Sequence, residues 1–271
     1  MMEGSVPGAV ALNSWQLVLA SSFVLLAGGI SFALRLGLEK RLALASVRTV
    51  VQLLLAGLIL RWVFQLEQLL PILAVILAMT AIAGHAAVQR SSRTFPGATR
   101  SAVITLVLST WLTAALVTGA IIQVQPWYKP QYLVPLLGMI LGNALTGISL
   151  SLDQILQTLV SKRDQVEMEL AHGASRWEAA RAPLSDAVRC GMIPIINSMM
   201  VVGLVSLPGM TTGQILAGED PFRAVKYQIV VMFMIAAATS LGCVLISVLV
   251  YHRVFNARHQ LLSELIIKRH N

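Results

Sequence analysis

Few residues of this chain have the types and spacing that catalysis or metal binding requires. Its five histidines are His85, His172, His252, His259 and His270. None stands three or four residues from another histidine or a cysteine, the spacing that places two metal ligands on one helix face. Ser149, Ser151 and Asp153 stand together, but no histidine accompanies them to form a nucleophile–base pair. We therefore expect neither a catalytic nor a metal site on this chain.

Seven long apolar segments must position the remaining polar residues. They are 14–34, 42–60, 69–88, 101–122, 133–152, 191–207 and 228–250. A helix needs about 20 apolar residues to cross the ~30 Å hydrocarbon core of a bilayer. Charged residues make up only 12% of the chain, against about 25% in a soluble domain. The sequence predicts an all-α polytopic membrane protein with about seven transmembrane helices, a single domain over 1–271, in a bacterial inner or plasma membrane.

Basic residues are concentrated in alternate connections between these segments. Fifteen of the 20 lysines and arginines share one set: Arg35, Lys40, Arg41, Arg90, Arg93, Arg100, Lys162, Arg163, Arg176, Arg181, Arg189, Arg253, Arg258, Lys268 and Arg269. Arg48 lies just inside the second segment, and the other set holds only Arg61, Lys129, Arg223 and Lys226. The positive-inside rule then predicts an N-terminus outside and a cytoplasmic C-terminus. Anionic membrane lipid explains the net charge of +8, and we expect no nucleic-acid partner.

No cleaved leader is expected before the first segment. Residues 1–13 contain Glu3 and no lysine or arginine, so the basic region of a signal peptide is missing. The first segment is also too long for the core of a signal peptide. We expect it to remain as a membrane anchor.

Four of the polar residues within the predicted spans are candidates for a pathway, namely Arg48, Gln52, Asn143 and Asn197. Such groups are costly at membrane depth unless protein or water faces them. Two explanations stand: they line a pathway through the membrane, or they form helix–helix hydrogen bonds, with Arg48 extending to the cytoplasmic surface. We take the pathway as the hypothesis to be tested.

The sixth segment is short and is followed by a glycine-rich stretch, 207–218. Pro208 and Gly209 favour a turn, and Gly213 and Gly218 interrupt the apolar residues that follow. We predict an outer gate or re-entrant element here, with an ordinary outer loop as the alternative. Asp220 and Pro221 are typical of a helix start.

Small residues at Gly138, Gly142 and Thr146 recur every four positions in the fifth segment. Such a stripe allows two helices to approach closely in lipid. It is a candidate face for a homodimer, although the contact could equally lie within one chain.

The polar loop 153–190 between segments five and six predicts a helix–turn–helix on the cytoplasmic side. Gly173 can end one helix and Ser175 can cap the next. Leu170 and Trp177 are the side chains that we expect to anchor a partner. No phosphate-binding loop of the form G-x-x-x-x-G-K-S/T occurs in the chain, so any ATP-driven motor must lie on another subunit.

The loop resembles the E-A-A-x-x-x-G motif of ABC-transporter permeases, whose loop helix docks on an ATPase subunit. Glu167 and Gly173 keep the six-residue spacing, followed by Ala174 and Ser175, while Met168 and Glu169 replace the two alanines. The proline that importers place about thirteen residues after the glycine is absent. The resemblance implies that Glu167, Gly173, Ala174 and Ser175 take the coupling role, in a protein that is not an ordinary importer permease.

A wider resemblance covers nearly the whole chain and is strongest from 138 to 260. It rests on Gly142-Asn-Ala, Glu169-Leu-Ala-His-Gly-Ala, Val202-Gly-Leu-Val-Ser-Leu-Pro-Gly-Met, Ala217-Gly-Glu-Asp-Pro, Ala224-Val-Lys-Tyr-Gln and Asn256-Ala-Arg-His-Gln. These blocks are similar to the FetB-type permeases, the membrane half of an ATP-driven iron exporter. The resemblance implies metal efflux by two permease copies and two ATPase copies, with ATP and Mg bound by the ATPase and no cofactor on this chain.

Two other kinds of function remain open. An ion-coupled secondary transporter would need carboxylates inside the membrane, and all twelve acidic residues lie outside the spans or at their edges. A channel-like membrane subunit without an ATPase partner is harder to distinguish. An ATPase encoded beside this protein would favour the transporter driven by ATP.

Overall fold

A computed structural model describes residues 13–66 and 68–269 of the protein. Its helices are α1 (Ser14–Ala33), α2 (Glu39–Leu66), α3 (Leu69–Gln89), α4 (Ala98–Leu106), α5 (Leu112–Leu116), α6 (Pro130–Ser161), α7 (Arg163–Ala171), α8 (Arg176–Val201), α9 (Gly209–Leu216) and α10 (Pro221–Val254). Strands β1 (Arg93–Thr94) and β2 (Ile267–Lys268) form a short antiparallel pair. Residues 1–12, which carry most of the argument against a leader, lie outside the described residues.

Six helical stretches in the described part of the chain are long and apolar enough to cross a membrane. They are Trp15–Ala33, Glu39–Gln65, Leu69–Gln89, Ala98–Ile121, Pro130–Ser161 and Pro221–Val254. The all-α polytopic architecture is therefore confirmed. The seventh predicted span, 191–207, is not among these six, so the number of crossings and the orientation of the termini stay predictions.

Helix α8 differs from the predicted boundaries and begins well before residue 191. Its buried residues continue at helical spacing through the charged region: Ala179, Ala180, Pro183, Leu184, Ala187, Gly191 and Ile195. The charged residues of 176–189 suggested a loop. In the structure they occupy the other face of the same helix. The helix ends at Val201, where Val202 becomes extended and Gly203 takes a φ of +83°. Residues 202–207 are therefore not part of a spanning helix.

The centre of the bundle is the crossing of α6, α8 and α10. A Cβ placed on Gly191 would lie 2.6 Å from the carbonyl oxygen of Gly147 and 2.6 Å from Cys243 Sγ. Ser151 Oγ of α6 donates to the carbonyl oxygen of Ala187 of α8 at 2.9 Å, beside this contact. Glycine is needed here because any side chain would separate the two backbones.

The helical stretch 98–121, which includes α4 and α5, contains two wide π-helical turns, Val107–Trp111 and Val117–Ile121. The hydroxyl groups of Ser109, Thr110, Thr113 and Thr118 each donate to the carbonyl oxygen four residues earlier. Hydroxyl donors of this kind supply backbone partners without exposing polar groups to lipid. This explains why an otherwise apolar span carries so many small hydroxyl residues.

Helices α1 and α2 lie at the edge of the bundle and are almost entirely exposed. In their spanning windows, 6% and 0% of residues are buried within the chain. Lipid or another protein chain must cover these apolar surfaces, because water cannot.

Most lysines and arginines lie at one end of the bundle, here called the basic end. It comprises the ends of α3, α6 and α10, the starts of α4 and α8, helix α7 and residues 255–269. The chain after α10 returns to this end, where Ile267 pairs with Thr94. Arg269 donates from its backbone nitrogen to the carbonyl oxygen of Ser92 and from its guanidinium to that of Val88, both at 2.9 Å.

Candidate functional site

The predicted helix–turn–helix is present and consists of α7, the turn 172–175 and the start of α8. We call residues 163–181 the helical hairpin. Gly173 has a φ of +93°, which favours glycine. The backbone nitrogen of Ala174 donates to Glu169 O and that of Gly173 donates to Leu170 O, each at 3.1 Å. These two bonds form a Schellman motif, so the predicted helix end at Gly173 is confirmed.

Ser175 caps α8, as predicted, through a reciprocal pair of hydrogen bonds with Glu178. The backbone nitrogen of Glu178 donates to Ser175 Oγ at 3.3 Å, and the backbone nitrogen of Ser175 donates to Glu178 Oε2 at 2.7 Å. The hydroxyl of Ser175 also donates to Glu178 Oε2. This hydroxyl bond, together with the backbone bond, lowers the pKa of Glu178 because both favour the charged carboxylate.

The tip of the hairpin presents two apolar side chains to solvent. Trp177 is 51% exposed and Met168 is 55% exposed. Leu170, a predicted anchor, instead packs partly buried against the protein's own core. Met168 was missed because the motif resemblance treats its position as an alanine. Glu167 forms an ion pair with Arg163 along one face of α7, 2.7 Å between Oε1 and Nε.

The C-terminal segment 255–269 holds the start of α8, which the sequence did not predict. The backbone nitrogen of Arg176 donates to His259 Nδ1 at 2.9 Å, and its guanidinium donates to the carbonyl oxygen of Asn256 at 3.3 Å. The same guanidinium lies 5.6 Å from the ring centre of Tyr251. Trp177 packs edge-on against Tyr251, with 5.6 Å between ring centres. The hairpin is thus fixed to α10 rather than hanging freely.

A turn at Asn256 places His259 for this contact. The Asn256 side-chain oxygen accepts from the backbone nitrogens of Arg258 and Gln260, each at 2.9 Å. His259 has a φ of +55° within the turn. His259 is exposed, but it accepts a specific hydrogen bond from the backbone nitrogen of Arg176. The signal for this turn was the Asn256-Ala-Arg-His-Gln260 block.

The four polar residues of the predicted pathway all lie exposed on the helix surfaces: Arg48, Gln52, Asn143 and Asn197. Asn143 donates to the carbonyl oxygen of Met139 on its own helix at 2.9 Å. No hydrogen bond or ion pair joins any two of the four in the described structure. Their pathway role stays a prediction.

The predicted gate contains a short helix, α9, that packs against α10. Thr211 Oγ1 donates to Gln228 Oε1 at 2.9 Å, and both side chains are buried. Gly209 and Gly213 lie within α9, and nothing would contact a Cβ added to either residue. Pro208 precedes α9 in an extended conformation, and Gly218 follows it with a φ of +91°. The gate role is not tested by this arrangement.

Gly142, at the centre of the predicted dimer stripe, is not packed against another part of the chain. Nothing lies within 4 Å of a Cβ added to Gly142, whereas one added to Gly138 would meet Met79 Cε at 3.4 Å. Thr146 Oγ1 donates to the carbonyl oxygen of Gly142 and accepts from Arg90. A close helix contact within the chain lies at Gly147 and Gly191 instead.

Residues 13–66 and 68–269 contain no group of three histidine, cysteine or acidic side chains that could hold a metal ion. Asp153, expected at the edge of the fifth span, lies within α6 and is hydrogen-bonded to Ser91, Ser92 and Gln157. It fixes the loop between α3 and β1.

Residues 14–255 match the family described as "Uncharacterised protein family (UPF0014)". The chain belongs to this family. It is 35% identical over 264 residues to UPF0014 membrane protein slr1647 of Synechocystis, covering 96% of this chain and 94% of that protein. It is 33% identical over 259 residues to the probable iron export permease protein FetB of Escherichia coli, covering 95% and 98%.

A plant relative completes the comparison. Protein ALUMINUM SENSITIVE 3 of Arabidopsis thaliana is 32% identical over 238 residues, which cover 88% of this chain and 86% of that protein. No solved structure matches the chain significantly. The resemblance to FetB-type permeases is confirmed, and this UPF0014 member is a multi-pass membrane protein.

Proposed function

We propose that this protein is the permease subunit of an ATP-driven exporter of a metal ion, with iron as the first candidate. A separate ATPase subunit docks on the helical hairpin and supplies ATP and Mg. The assembly contains two permease chains and two ATPase chains. The permease itself carries no catalytic residue.

The observation that supports this proposal most strongly is the continuity of α8. The start of this helix forms part of the exposed hairpin with Trp177 at its tip, and its middle crosses α6, where Gly191 meets Gly147. A force applied by a partner to the hairpin would therefore act directly on the packed centre of the bundle. Tightly packed helices of this kind shift as rigid units rather than deform.

The proposed cargo and direction rest on a relative's name, that of the probable iron export permease of Escherichia coli. Histidine, cysteine and acidic side chains form no ligand cluster in the described residues. We therefore propose that the ion crosses with few direct protein ligands or as a chelate.

The homodimer is supported by the open stripe at Gly142 and by the exposed apolar surfaces of α1 and α2. The alternative of an ion-coupled transporter is less favoured, since the bonds from Ser91, Ser92 and Gln157 occupy Asp153 as a structural acceptor.

The test is to purify the full chain from membranes with the subunit that carries a G-x-x-x-x-G-K-S/T motif. The pair is then reconstituted in proteoliposomes, and ATP hydrolysis is measured with and without iron and other metal ions. Gly173→Pro removes a backbone donor and cannot adopt the φ of +93°. We expect it to reduce metal-stimulated hydrolysis and transport about tenfold or more, a loss typical of broken docking anchors.

Gly37→Pro is the matched control, because Gly37 also has a positive φ, +69°, in the exposed turn between α1 and α2. It should leave coupling unchanged. Full coupling in Gly173→Pro would contradict the docking role of the hairpin. Metal transport by the permease alone, without ATP, would instead favour the channel or ion-coupled alternative.

A further inference from the structure

A basic pocket at the basic end of the bundle has no role in the function proposed above. It has a volume of about 220 Å³ and lies between the last turns of α6 and the paired strands β1 and β2. Its lining residues are Ser92, Arg93, Gln157, Ser161 and Lys268. The site is built from parts of the chain far apart in sequence.

The two cations of the pocket stand directly opposite each other in the strand pair. Arg93 is the register partner of Lys268, just as Thr94 is the partner of Ile267. Like charges at opposed positions of an antiparallel pair repel and destabilise it. Across residues 13–66 and 68–269, neither side chain forms an ion pair or a hydrogen bond. A bound anion would remove this repulsion.

The nearby carboxylate of Asp153 does not neutralise the pair. It accepts from the backbone nitrogen and hydroxyl of Ser92, each at 2.7 Å, and from Gln157 Nε2 at 2.7 Å. Ser91 Oγ adds a longer bond at 3.2 Å. These bonds hold the floor of the pocket in place. The exposed carboxylate of Glu264, just before β2, likewise makes no ion pair with Arg93 or Lys268.

The position of the pocket along α6 indicates the kind of anion. Helix α6 has 32 residues, about 48 Å at 1.5 Å per residue, against about 40–45 Å for a bilayer including its headgroups. Its last turns, with Gln157 and Ser161, therefore reach the headgroup layer. A guanidinium fork and an ammonium group together suit a phosphate group, which accepts several charge-assisted hydrogen bonds.

We propose that this pocket binds a phosphate group between Arg93 and Lys268, with Ser161 as a further donor when its hydroxyl turns away from the carbonyl oxygen of Thr158, to which it donates at 3.3 Å. The phosphate belongs either to the headgroup of an anionic lipid or to free inorganic phosphate. Binding there joins the C-terminal strand β2 to α6. Since the chain between α10 and β2 also contacts Arg176, the ligand stabilises the segment that holds the helical hairpin.

The experiment uses the purified, delipidated full chain in neutral detergent. Phosphatidylglycerol, phosphatidylcholine and inorganic phosphate are added separately at matched ionic strength, and thermal unfolding and native mass spectrometry report binding. We expect an anionic phosphate ligand to raise the unfolding temperature. The double variant Arg93→Gln/Lys268→Gln should bind it about tenfold more weakly, a loss expected when charge-assisted bonds are removed.

Two further variants make the result decisive. Arg253→Gln/Arg258→Gln removes two exposed cations outside the pocket and should bind like the unaltered protein. Ser161→Leu fills the pocket without changing charge and should also lose binding, which keeps the test valid if the double variant fails to fold. Without ligand, the folded double variant should be at least as heat-stable as the unaltered protein.

Stabilisation by phosphatidylglycerol alone assigns the site to a lipid headgroup, and stabilisation by inorganic phosphate assigns it to the free anion. Binding of neither ligand overturns the proposal. The proposal is also overturned if the variants Arg93→Gln/Lys268→Gln and Ser161→Leu bind the ligand as tightly as the Arg253→Gln/Arg258→Gln control.

Discussion

At the scale of single residues, the turn 172–175 depends on three residues with distinct tasks. Gly173 supplies the positive φ that lets α7 end in a Schellman motif. Ser175 and Glu178 then satisfy the first free backbone groups of α8 by bonding to each other's backbone nitrogens. Both helices keep their ends defined even though the turn is exposed, so the hairpin can present Trp177 in a fixed position.

The Glu178 carboxylate makes this cap sensitive to acid. Its pKa is below the ordinary value of 4.5 in the folded protein, first because of the Ser175 hydroxyl bond. The stabilisation is therefore fully present above about pH 4.5 and is lost as the pH falls through the lowered pKa. We expect the unfolding temperature of Glu178→Ala to lie below that of the unaltered protein at neutral pH. The two should converge in acid.

Differential scanning calorimetry from neutral pH to acid measures the two unfolding temperatures. Glu264→Ala is the control, since this exposed carboxylate forms no ion pair or hydrogen bond in the described structure. If the unfolding temperatures of Glu178→Ala and the unaltered protein differ by the same amount down to strong acid, the carboxylate does not act through its charge.

At the scale of elements, α8 is both the docking helix of the hairpin and a packed member of the bundle. Its small residues Ala187 and Gly191 allow it to lie against α6, where Ser151 donates across the contact. Helix α10 closes the same crossing with Cys243. The hairpin therefore cannot tilt without moving α6 or α10.

Gly191→Ala tests this crossing. Its new methyl group would meet the Ser151 hydroxyl, Cys243 Sγ and the backbone of Gly147, and backbone cannot give way as a flexible side chain can. We expect a loss of about 1–3 kcal/mol in stability, the usual cost of overpacking. Gly142→Ala is the matched control in α6, where a Cβ meets nothing within 4 Å. Chemical unfolding in detergent compares the two, and equal stability would contradict the close crossing.

At the scale of the whole molecule, α8 also decides the topology. Its 26 residues extend about 39 Å, but its first half is charged and it is not among the six clearly apolar spans. Seven crossings would place the termini on opposite sides of the membrane, and six would place them on the same side. The lysine and arginine distribution favours the first arrangement.

Reporter fusions at both ends distinguish these arrangements. We expect a reporter after Asn271 to be active in the cytoplasm and one before Met1 to be active outside. A reporter fused within the connection 202–208 should also be active outside. Activity of the C-terminal reporter only outside the cytoplasm would overturn the predicted orientation, and activity of both terminal reporters on one side would mean that α8 does not cross.

The sequence by itself determined the class of the protein and its local helix signals. Long apolar segments and the scarcity of charge indicated a helical membrane protein, because a helix of about 20 apolar residues satisfies its own backbone groups within lipid. Gly173, Ser175 and the Asp220-Pro221 pair marked helix ends correctly, since caps depend on neighbouring residues alone. The blocks around Gly142, Gly173 and Asn256 were sufficient to identify the family.

Only the tertiary structure decided how these parts contact one another. It joined the charged and apolar halves of α8 into one helix, because the buried face of that helix is defined by α6 and α10. It brought His259 to Arg176, 83 positions apart, and Lys268 to Arg93 in one strand pair. Contacts between distant residues depend on how the helices pack, so no local pattern predicts them. The attachment of the helical hairpin to residues 255–269 and the proposed phosphate pocket both depend on such contacts between distant residues.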